Sequence, residues 1–589
     1  MCGIFGFFNT GVSQSESDVM ISKMSKAQHH RGPDNFGFHQ ENFCTLGNNR
    51  LSIIDLENGN QPFFSGDGKI VVVQNGEIFN HIELAAGLEN SPYSCITGSD
   101  TEVILRLYEN EGPSFVSKLN GMFSIAIYDA RIQKLFLFRD RVGEKPLFYS
   151  TSGKSVYFAS EMKSLLEVGI DRDINKKAVA SFFLYNYVMP PMTIFKDIHI
   201  LQPGHYLECD ANGIQCNRWW DLPYLQSKND FTLNEDEIVE EFNFLLDDAV
   251  KIRMRADVPF GAFLSGGVDS SSVVGLMSKH SAFPIKTFCI GFNDPDFDES
   301  AFALEASKRF STEHYLKKVD SNLLKHWPKV ILHTEQPHGD VSFMPTYEVA
   351  KLASKHVKMV LTGDGADELF GGYSKYLGLK DLDKSNHKKV LLDSFSLLTP
   401  NSLGQLFDEA FIDSSVIDEL ERDFNKIIDG YDTDDYLNKA FFFDTQYLLQ
   451  GNNLVKPDRM GMSVSIENRS PFLDYRMVEF ASKIPSKYKI RNQETKYIYK
   501  KSVESLIGSN LTYRDKQMFT VPIKSWISGE LKSYFESVIF PTRLSHESIF
   551  NQQFLKETFD NHCNHSADNT RLIRAVTSYN LWSEKFKGA

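Results

Sequence analysis

A cysteine stands at position 2 of the opening Met1-Cys2-Gly3-Ile4-Phe5-Gly6. If Met1 is removed, one residue carries a thiol of pKa about 8.5 and a free α-amine of about 7.7–8.0. The amine can then act as general base for its own thiol, the N-terminal-nucleophile arrangement. Three polar turns supply chemistry that suits such a nucleophile. Asn49-Arg50-Leu51-Ser52 offers a guanidinium that can fork onto an α-carboxylate. Asn75-Gly76-Glu77 follows an apolar run, where a side-chain amide and a glycine N–H can hold a tetrahedral oxyanion. Gly98-Ser99-Asp100-Thr101 sets a carboxylate where a substrate ammonium can rest. Together they describe hydrolysis of an amino-acid side-chain amide. Arg50 and Asp100 grip the zwitterion, Cys2 attacks, and Asn75 with Gly76 stabilises the oxyanion. His30-Arg31-Gly32-Pro33-Asp34 is a further compact polar turn.

A second kind of chemistry begins near residue 265. Phe263-Leu264-Ser265-Gly266-Gly267-Val268-Asp269-Ser270-Ser271 reads as strand, glycine-rich turn and helix start. Glycines let the backbone approach phosphate oxygens, and the helix N-terminus favours the anion. Ser265 and Ser270 add hydroxyl donors, and Asp269 can hold Mg²⁺ against the phosphates. The segment lacks the Gly-Lys-Ser/Thr of a Walker loop, which weakens a reading as γ-phosphate transfer. The stretch Val360-Leu361-Thr362-Gly363-Asp364-Gly365-Ala366-Asp367-Glu368 repeats the logic with an acidic turn. Its three acids would repel an unaccompanied polyphosphate, which again implies Mg²⁺.

The elements that must position these groups follow two patterns. Over about the first 215 residues, short apolar runs at Ile70–Val73, Phe123–Tyr128, Leu135–Phe138 and Val156–Ala159 predict strands. A helix is predicted over Glu102–Glu109, capped by Thr101 or Asp100. Residues 216–233 read as a linker. Asn234 then caps a helix whose buried stripe is Ile238, Phe242, Leu245, Leu246 and Ala249. Strands at Phe260–Leu264, Lys286–Phe292 and Lys358–Leu361 alternate with helices from about Ser270 and over Ala301–Phe310. That alternation predicts a mostly parallel sheet, with ligands at the carboxyl ends of its strands. From about 375 onward the reading is mainly helical. The predicted domains are therefore 1–215, a linker over 216–233, and 234–589.

Composition narrows the classes. The chain has 589 residues and a net charge of −14, too long for one ordinary domain. An acidic balance disfavours a nucleic-acid surface, which needs clustered Lys and Arg. No stretch reaches the roughly 18 apolar residues of a membrane span, and the opening residues predict no secretion signal. Seven scattered cysteines, never in a Cys-x-x-Cys pair, predict a reducing cytoplasm over a disulfide framework.

The segments MCGIFGF, HRGPD, NNRLSIID, NGEIFN and GSDTE, in this order, resemble the glutaminase half of class II glutamine amidotransferases. The loop at 265 resembles the pyrophosphate signature of ATP pyrophosphatases. VLTGDGADELFGGY, and Asp458-Arg459-Met460 through Glu467-Asn468-Arg469-Ser470-Pro471-Phe472-Leu473-Asp474, resemble the synthetase half of glutamine-hydrolysing asparagine synthetases. The fold this implies is an N-terminal-nucleophile αββα sandwich of α+β class. An α/β parallel-sheet ATP-pyrophosphatase domain with a helical C-terminal part would follow it. The implied activity is that of a carbon–nitrogen ligase. Glutamine is hydrolysed at Cys2, and its ammonia amidates β-aspartyl-AMP made from aspartate and ATP.

Carried over by position, the resemblance assigns Arg50, Asn75, Glu77 and Asp100 to glutamine. Leu264, Ile290, Thr362 and Gly363 fall to the nucleotide, Ser265, Gly266, Gly267, Asp269 and Ser270 to pyrophosphate, and Asp269 and Asp367 to Mg²⁺. Asp364 and Glu368 take aspartate-side or acid–base roles. Arg514-Asp515-Lys516-Gln517-Met518-Phe519 resembles a late basic loop in which Lys516 neutralises the phosphorus transition state, although Met518 stands where the family usually has Gly. The implied partners are glutamine, aspartate and ATP, with neither nucleic acid nor membrane, and a homodimer is admitted. Two rivals keep the same motifs: an amidotransferase acting on a sugar uronate or peptide carboxylate, and a non-catalytic nucleotide- or glutamine-binding protein.

Overall fold

The computed structural model describes residues 2–41, 43–514, 521–541 and 548–587. The first half contains two six-stranded antiparallel sheets. One runs in the order His199–Ile200, Phe148–Ser152, Ser155–Ala159, Cys2–Phe8, Cys44–Arg50, Asn35–Gln40. The other runs Gly213–Arg218, His205–Asp210, Lys134–Arg139, Gly121–Asp129, Ile70–Ile78, Phe63–Phe64.

Alternation along the strands makes these sheets a sandwich. Val71, Val73, Ala126 and Tyr128 pack against Ile4, Phe8 and Leu46 of the facing sheet. Their neighbours Ile70, Val72, Ile125 and Ile127 pack outward against Val103, Ile104 and Leu107 of helix Asp100–Glu111. Side chains two apart share a face, so these runs are hydrophobic on both sides. Helix Gln14–Ala27 covers the outer face of the first sheet through Ile21 and Met24. The layers are therefore helix, sheet, sheet, helix.

The cap of helix Asp100–Glu111 differs from expectation. Ser99, in extended conformation, accepts from Thr101 N–H, while Asp100 and Thr101 lie inside the helix. The last strand of the second sheet, Gly213–Arg218, pairs along its whole length with His205–Asp210. Helix Glu235–Arg253 starts where its sequence signals say. Asn234 accepts from Asp236 and Glu237 N–H, and Glu237 reaches back to the Asn234 N–H.

The second half is built on a five-stranded parallel sheet in the order Glu313–Val319, Lys286–Phe292, Phe260–Phe263, Met359–Leu361, Glu467–Arg469. Ala262, Met359 and Leu361 face Phe242, Leu246, Val273 and Met277 of helices Glu235–Arg253 and Val268–His280. Phe288, Ile290 and Val360 face the other way, toward Phe343, Met344 and Tyr347 of helix Phe343–Ala353. Two of these strands escape the apolar-run signal. Glu313–Val319 is an edge strand of largely exposed polar residues. Glu467–Arg469 is three polar residues, all buried. Among the described residues, no helix is long and apolar enough to cross a membrane.

Candidate active sites

Strand Cys2–Phe8 is flanked by Cys44–Arg50 and, from Phe5 on, by Ser155–Ala159. This fixes Cys2 at a strand end, 4% exposed and opposite Arg50. Burial raises the pKa of its thiol. Asn75, in strand Ile70–Ile78 of the other sheet, accepts from the Cys2 backbone N–H through Oδ1 at 3.1 Å. That bond sets the amide's orientation and turns Nδ2 toward Ser160 Oγ at 3.4 Å. Gly76 has φ +141°, and a Cβ there would lie 1.9 Å from the Met122 carbonyl oxygen, so only glycine fits. Gln61 Nε2 lies 4.0 Å from Cys2 Sγ.

Besides Asn75, the other three expected glutamine ligands, Arg50, Asp100 and Glu77, have protein partners of their own. Arg50 donates from Nη2 to the Ile54 and Asp55 carbonyls at 2.9 and 2.8 Å, and from Nη1 to Asn60 Oδ1 at 2.8 Å. Its guanidinium thus shapes the 51–60 loop. Asp100 Oδ2 accepts from Ile78 N–H and Gln74 Nε2, both at 3.0 Å. Glu77 is buried, 3.7 Å from Arg469. Burial first, then the nearby Glu467 and Asp100 carboxylates, push its pKa well above the usual carboxylate range.

The tie between this site and the second half joins two sequence motifs, HRGPD and Asp458-Arg459-Met460, to which the sequence assigns no role. Arg31, wholly buried, donates from Nε to the Cys2 carbonyl at 3.1 Å. Its two Nη atoms form a fork on Asp458 at 2.9 and 3.0 Å. Around that pair, Glu161 accepts from Arg31 and pairs with Arg459 at 2.9 Å, while Arg459 also reaches Glu335 at 3.2 Å. Burial, which lowers an arginine's pKa, is overcome by Asp458 and Glu161, so Arg31 is held more firmly protonated than usual.

The second site lies at the carboxyl ends of the parallel strands, where open α/β sheets bind ligands. A cavity of about 2150 Å³ is lined by Leu264, Ser265, Gly267, Asp269, Ser270, Ile290, Thr362, Gly363, Asp364 and Asp367, among others. One ligand pocket is usually roughly 300–1,000 Å³, so more than one molecule has room here. Gly266 turns the loop at φ +73°, where a Cβ would lie 2.3 Å from the Phe302 carbonyl carbon. Ser265 Oγ and Ser270 Oγ stand 3.1 Å apart, and the Ser265 N–H donates to Ser270 Oγ at 3.2 Å. Helix Val268–His280 begins directly behind them. Arg514 locks the loop, donating from Nε to the Gly266 carbonyl at 2.9 Å and pairing with Glu299 at 2.7 Å.

In the acidic turn, Thr362 Oγ1 donates to Asp364 Oδ2 at 2.7 Å, and Tyr373 OH donates to Glu368 Oε1 at 2.6 Å. Burial raises the pKa of Asp364, and burial together with Asp367 raises that of Glu368. Between the two loops stands a cation absent from the sequence reading. Lys496 Nζ lies 2.6 Å from both Asp269 and Asp367. Burial disfavours its charge, and the two carboxylates more than restore it. Spacing gives no hint of Lys496, because it sits 129 residues from Asp367 and 227 from Asp269, in no glycine-rich context. Lys516, expected to play the cationic part, lies outside the described residues, as does Met518. Among the described residues, no three His, Cys, Asp or Glu side chains gather as a metal cluster.

A model of the asparagine synthase family matches residues 241–584, and a glutamine amidotransferase domain model matches residues 1–220. The chain belongs to the asparagine synthase family. Glutamine-hydrolyzing asparagine synthetase 1 of Bacillus subtilis (strain 168) is 33% identical over 99% of this chain and 96% of its own length. A putative glutamine-hydrolyzing asparagine synthetase of Mycobacterium bovis is 30% identical over 100% of this chain and 97% of its own. The amidase chyE of Penicillium rubens is 28% identical, over 92% and 91%. Family likeness therefore runs the length of both halves and covers both sites.

Proposed function

We propose that the protein makes asparagine from aspartate, ATP and glutamine, releasing glutamate, AMP and pyrophosphate. The observation that carries this reading is the Arg31 bridge. One buried guanidinium holds both the carbonyl of the nucleophilic residue and an acid of the synthetase half.

In the glutaminase half, over residues 1–215, the Cys2 thiol attacks the glutamine amide carbon. Burial favours the neutral thiol, so a base must stand beside it, and the α-amine is one bond system away. Once Met1 is removed, the bond to Asn75 uses one N–H of the freed amine and leaves its lone pair for the thiol proton. Asn75 Nδ2 and the Gly76 N–H receive the oxyanion. Arg50, Glu77 and Asp100 frame the substrate's charged end.

After the linker, whose expected start at 216 falls inside strand Gly213–Arg218 and so moves past Arg218, the synthetase half over 234–589 activates the aspartate β-carboxylate. Adenylation is required because oxide is a poor leaving group and AMP a good one. Ser265, Gly266, Gly267 and Ser270 hold the pyrophosphate end of ATP, with Leu264, Ile290, Thr362 and Gly363 about the nucleotide. The acid pair suits Mg²⁺: Asp269 and Asp367 converge on one cation position, and phosphate and water oxygens complete such a shell. Held by these two carboxylates, with Lys496 displaced from between them, Mg²⁺ would neutralise phosphate charge. Lys496, whose Nζ bridges the two acids in this structure, would then turn its positive charge to the pentacovalent phosphorus beside them, a part that Lys516 shares. Asp364, kept more readily protonated by burial, serves acid–base steps on the acceptor side.

Ammonia is mostly protonated in water at neutral pH, so it must travel enclosed. A small cavity of about 40 Å³, lined by Arg139, Glu144 and Phe148 of the first half and Gly451, Asp458 and Arg459 of the second, supports that route. The seven cysteines are all free, which suits a cytoplasmic enzyme. The test is mass analysis of the products from ATP, glutamine and aspartate. AMP, pyrophosphate and asparagine are expected, and ADP would overturn the reading. Cys2→Ala should abolish glutamine-dependent synthesis and leave ammonia-dependent synthesis. Loss of both in a folded protein would refute two separable sites.

A further inference from the structure

The large cavity continues past the acidic turn to the C-terminal helix Thr570–Phe586. Charged side chains stand along that extension, Lys456 and Asp340 at the outer edge of ion-pair distance and Arg574 in no ion pair with a described residue. Lys456 is the charge that most opposes the burial of Asp364, so the series begins beside the acidic turn. Lys456 Nζ lies 4.0 Å from Asp340 Oδ2. Asp340 Oδ1 accepts from the Ser342 N–H at 2.8 Å, whereas Oδ2 has only Asn452 Nδ2 at 3.3 Å. Arg574 comes next. Asp340 is the carboxylate acting most strongly on its guanidinium. Even so, Arg574 makes no ion pair with any described residue, and its buried Nε–H has no hydrogen-bond partner among them.

A buried N–H left unpaired is costly. Opposite charges that line one cavity and approach no closer than 4.0 Å suit an inserted ligand bearing both signs on neighbouring atoms. An α-amino acid is such a ligand, with ammonium and carboxylate on one carbon. Resting on the adenylation reading above, we propose that Arg574 receives the α-carboxylate and Asp340 the α-ammonium of the acceptor. The acceptor's side-chain carboxylate is then directed past Lys456 toward the turn at Asp364. Arg571 lies three residues earlier on the same helical face and lines the same cavity, adding positive charge. The clamp selects a free amino acid. A sugar uronate has no ammonium and would leave Asp340 unanswered.

The test compares three acceptors in the full-length enzyme by pyrophosphate release: aspartate, succinate (which lacks the ammonium) and β-alanine (which lacks the α-carboxylate). Asp340→Asn and Arg574→Gln are each expected to raise the aspartate KM by about 10- to 100-fold, the loss of one charged hydrogen bond. The ATP KM and the glutaminase rate serve as controls and should stay within about twofold, the second also reporting the fold. The deciding readout is selective. Asp340→Asn should erase the preference for aspartate over succinate, and Arg574→Gln that over β-alanine. An equal fall for all three acceptors, or an unchanged aspartate KM, overturns the clamp while leaving adenylation intact. If wild-type enzyme releases no pyrophosphate with aspartate, the adenylation reading falls and the clamp with it.

Discussion

Replacing Asp458 by Asn tests the junction between the two sites. The carboxylate is 4% exposed and Arg31 wholly buried, so water cannot take up the charge left behind. Removing one partner of a buried pair generally costs about 3–5 kcal/mol. The Asn carbonyl keeps one hydrogen bond, worth about 0.5–1.5 kcal/mol, which leaves roughly 2–4 kcal/mol. Lys145, 3.9 Å from the same carboxylate, loses its partner too and moves the figure toward the upper end. Against a total stability of about 5–15 kcal/mol, that is a large fraction. Urea unfolding of wild type and variant, followed by tryptophan fluorescence and by glutaminase activity, measures it. The double change Arg31→Met with Asp458→Leu supplies the control. A buried pair replaced by apolar side chains of similar size is often neutral, so the double variant should be more stable than the single. A single-variant loss below about 1 kcal/mol, or a double variant worse than the single, would refute the reasoning.

Gly266→Ala puts a methyl 2.3 Å from the Phe302 backbone at a left-handed φ, so pyrophosphate release should fall by about 100-fold or more with the glutaminase rate kept. Lys496→Gln removes the cation between Asp269 and Asp367 and should cut adenylation by about 10²- to 10³-fold, measured as pyrophosphate–ATP exchange. Glu144 is pushed up to about 8 by burial, so between its unfolded value near 4.5 and pH 8 the folded state binds the extra proton. Stability should therefore fall as pH rises through that window, by at most about 1.4 kcal/mol per unit. Glu144→Gln should flatten the slope, and a variant with an unchanged slope in urea titrations at pH 5, 6.5 and 8 would contradict this.

Much of the architecture is legible in the chain because its signals are local. Apolar runs such as Ile70–Val73 and the Asn234–Glu237 capping box are governed by neighbours within a few residues. The glycine-rich turns at 265 and 363 likewise announce themselves, since close backbone approach demands glycine. Strand Glu467–Arg469 does not. It is buried and polar because Arg469 feeds carbonyls at Arg253 and Arg255 and pairs with Glu467, a pattern set by distant chain. Lys496, and the pairing of Arg31 with Asp458, are hidden for the same reason, as the partners lie more than 100 residues away. The expected roles of Arg50 and Asp100 meet a further fact invisible in sequence: both already serve the loops around them.

The fork that Arg31 throws across to Asp458 also bears on how this protein can be cut and rejoined. A fragment ending near residue 220 would keep the Arg31 bonds to Cys2 and Glu161 but lose the fork on Asp458, leaving the far edge of that guanidinium to solvent directly beneath the catalytic residue. Grafting this front half onto a foreign synthetase would transplant the same problem unless the new partner presents an acid at the matching spot. The seam between the halves is thus part of how the first half shapes its nucleophile, and the halves are poor candidates for free exchange.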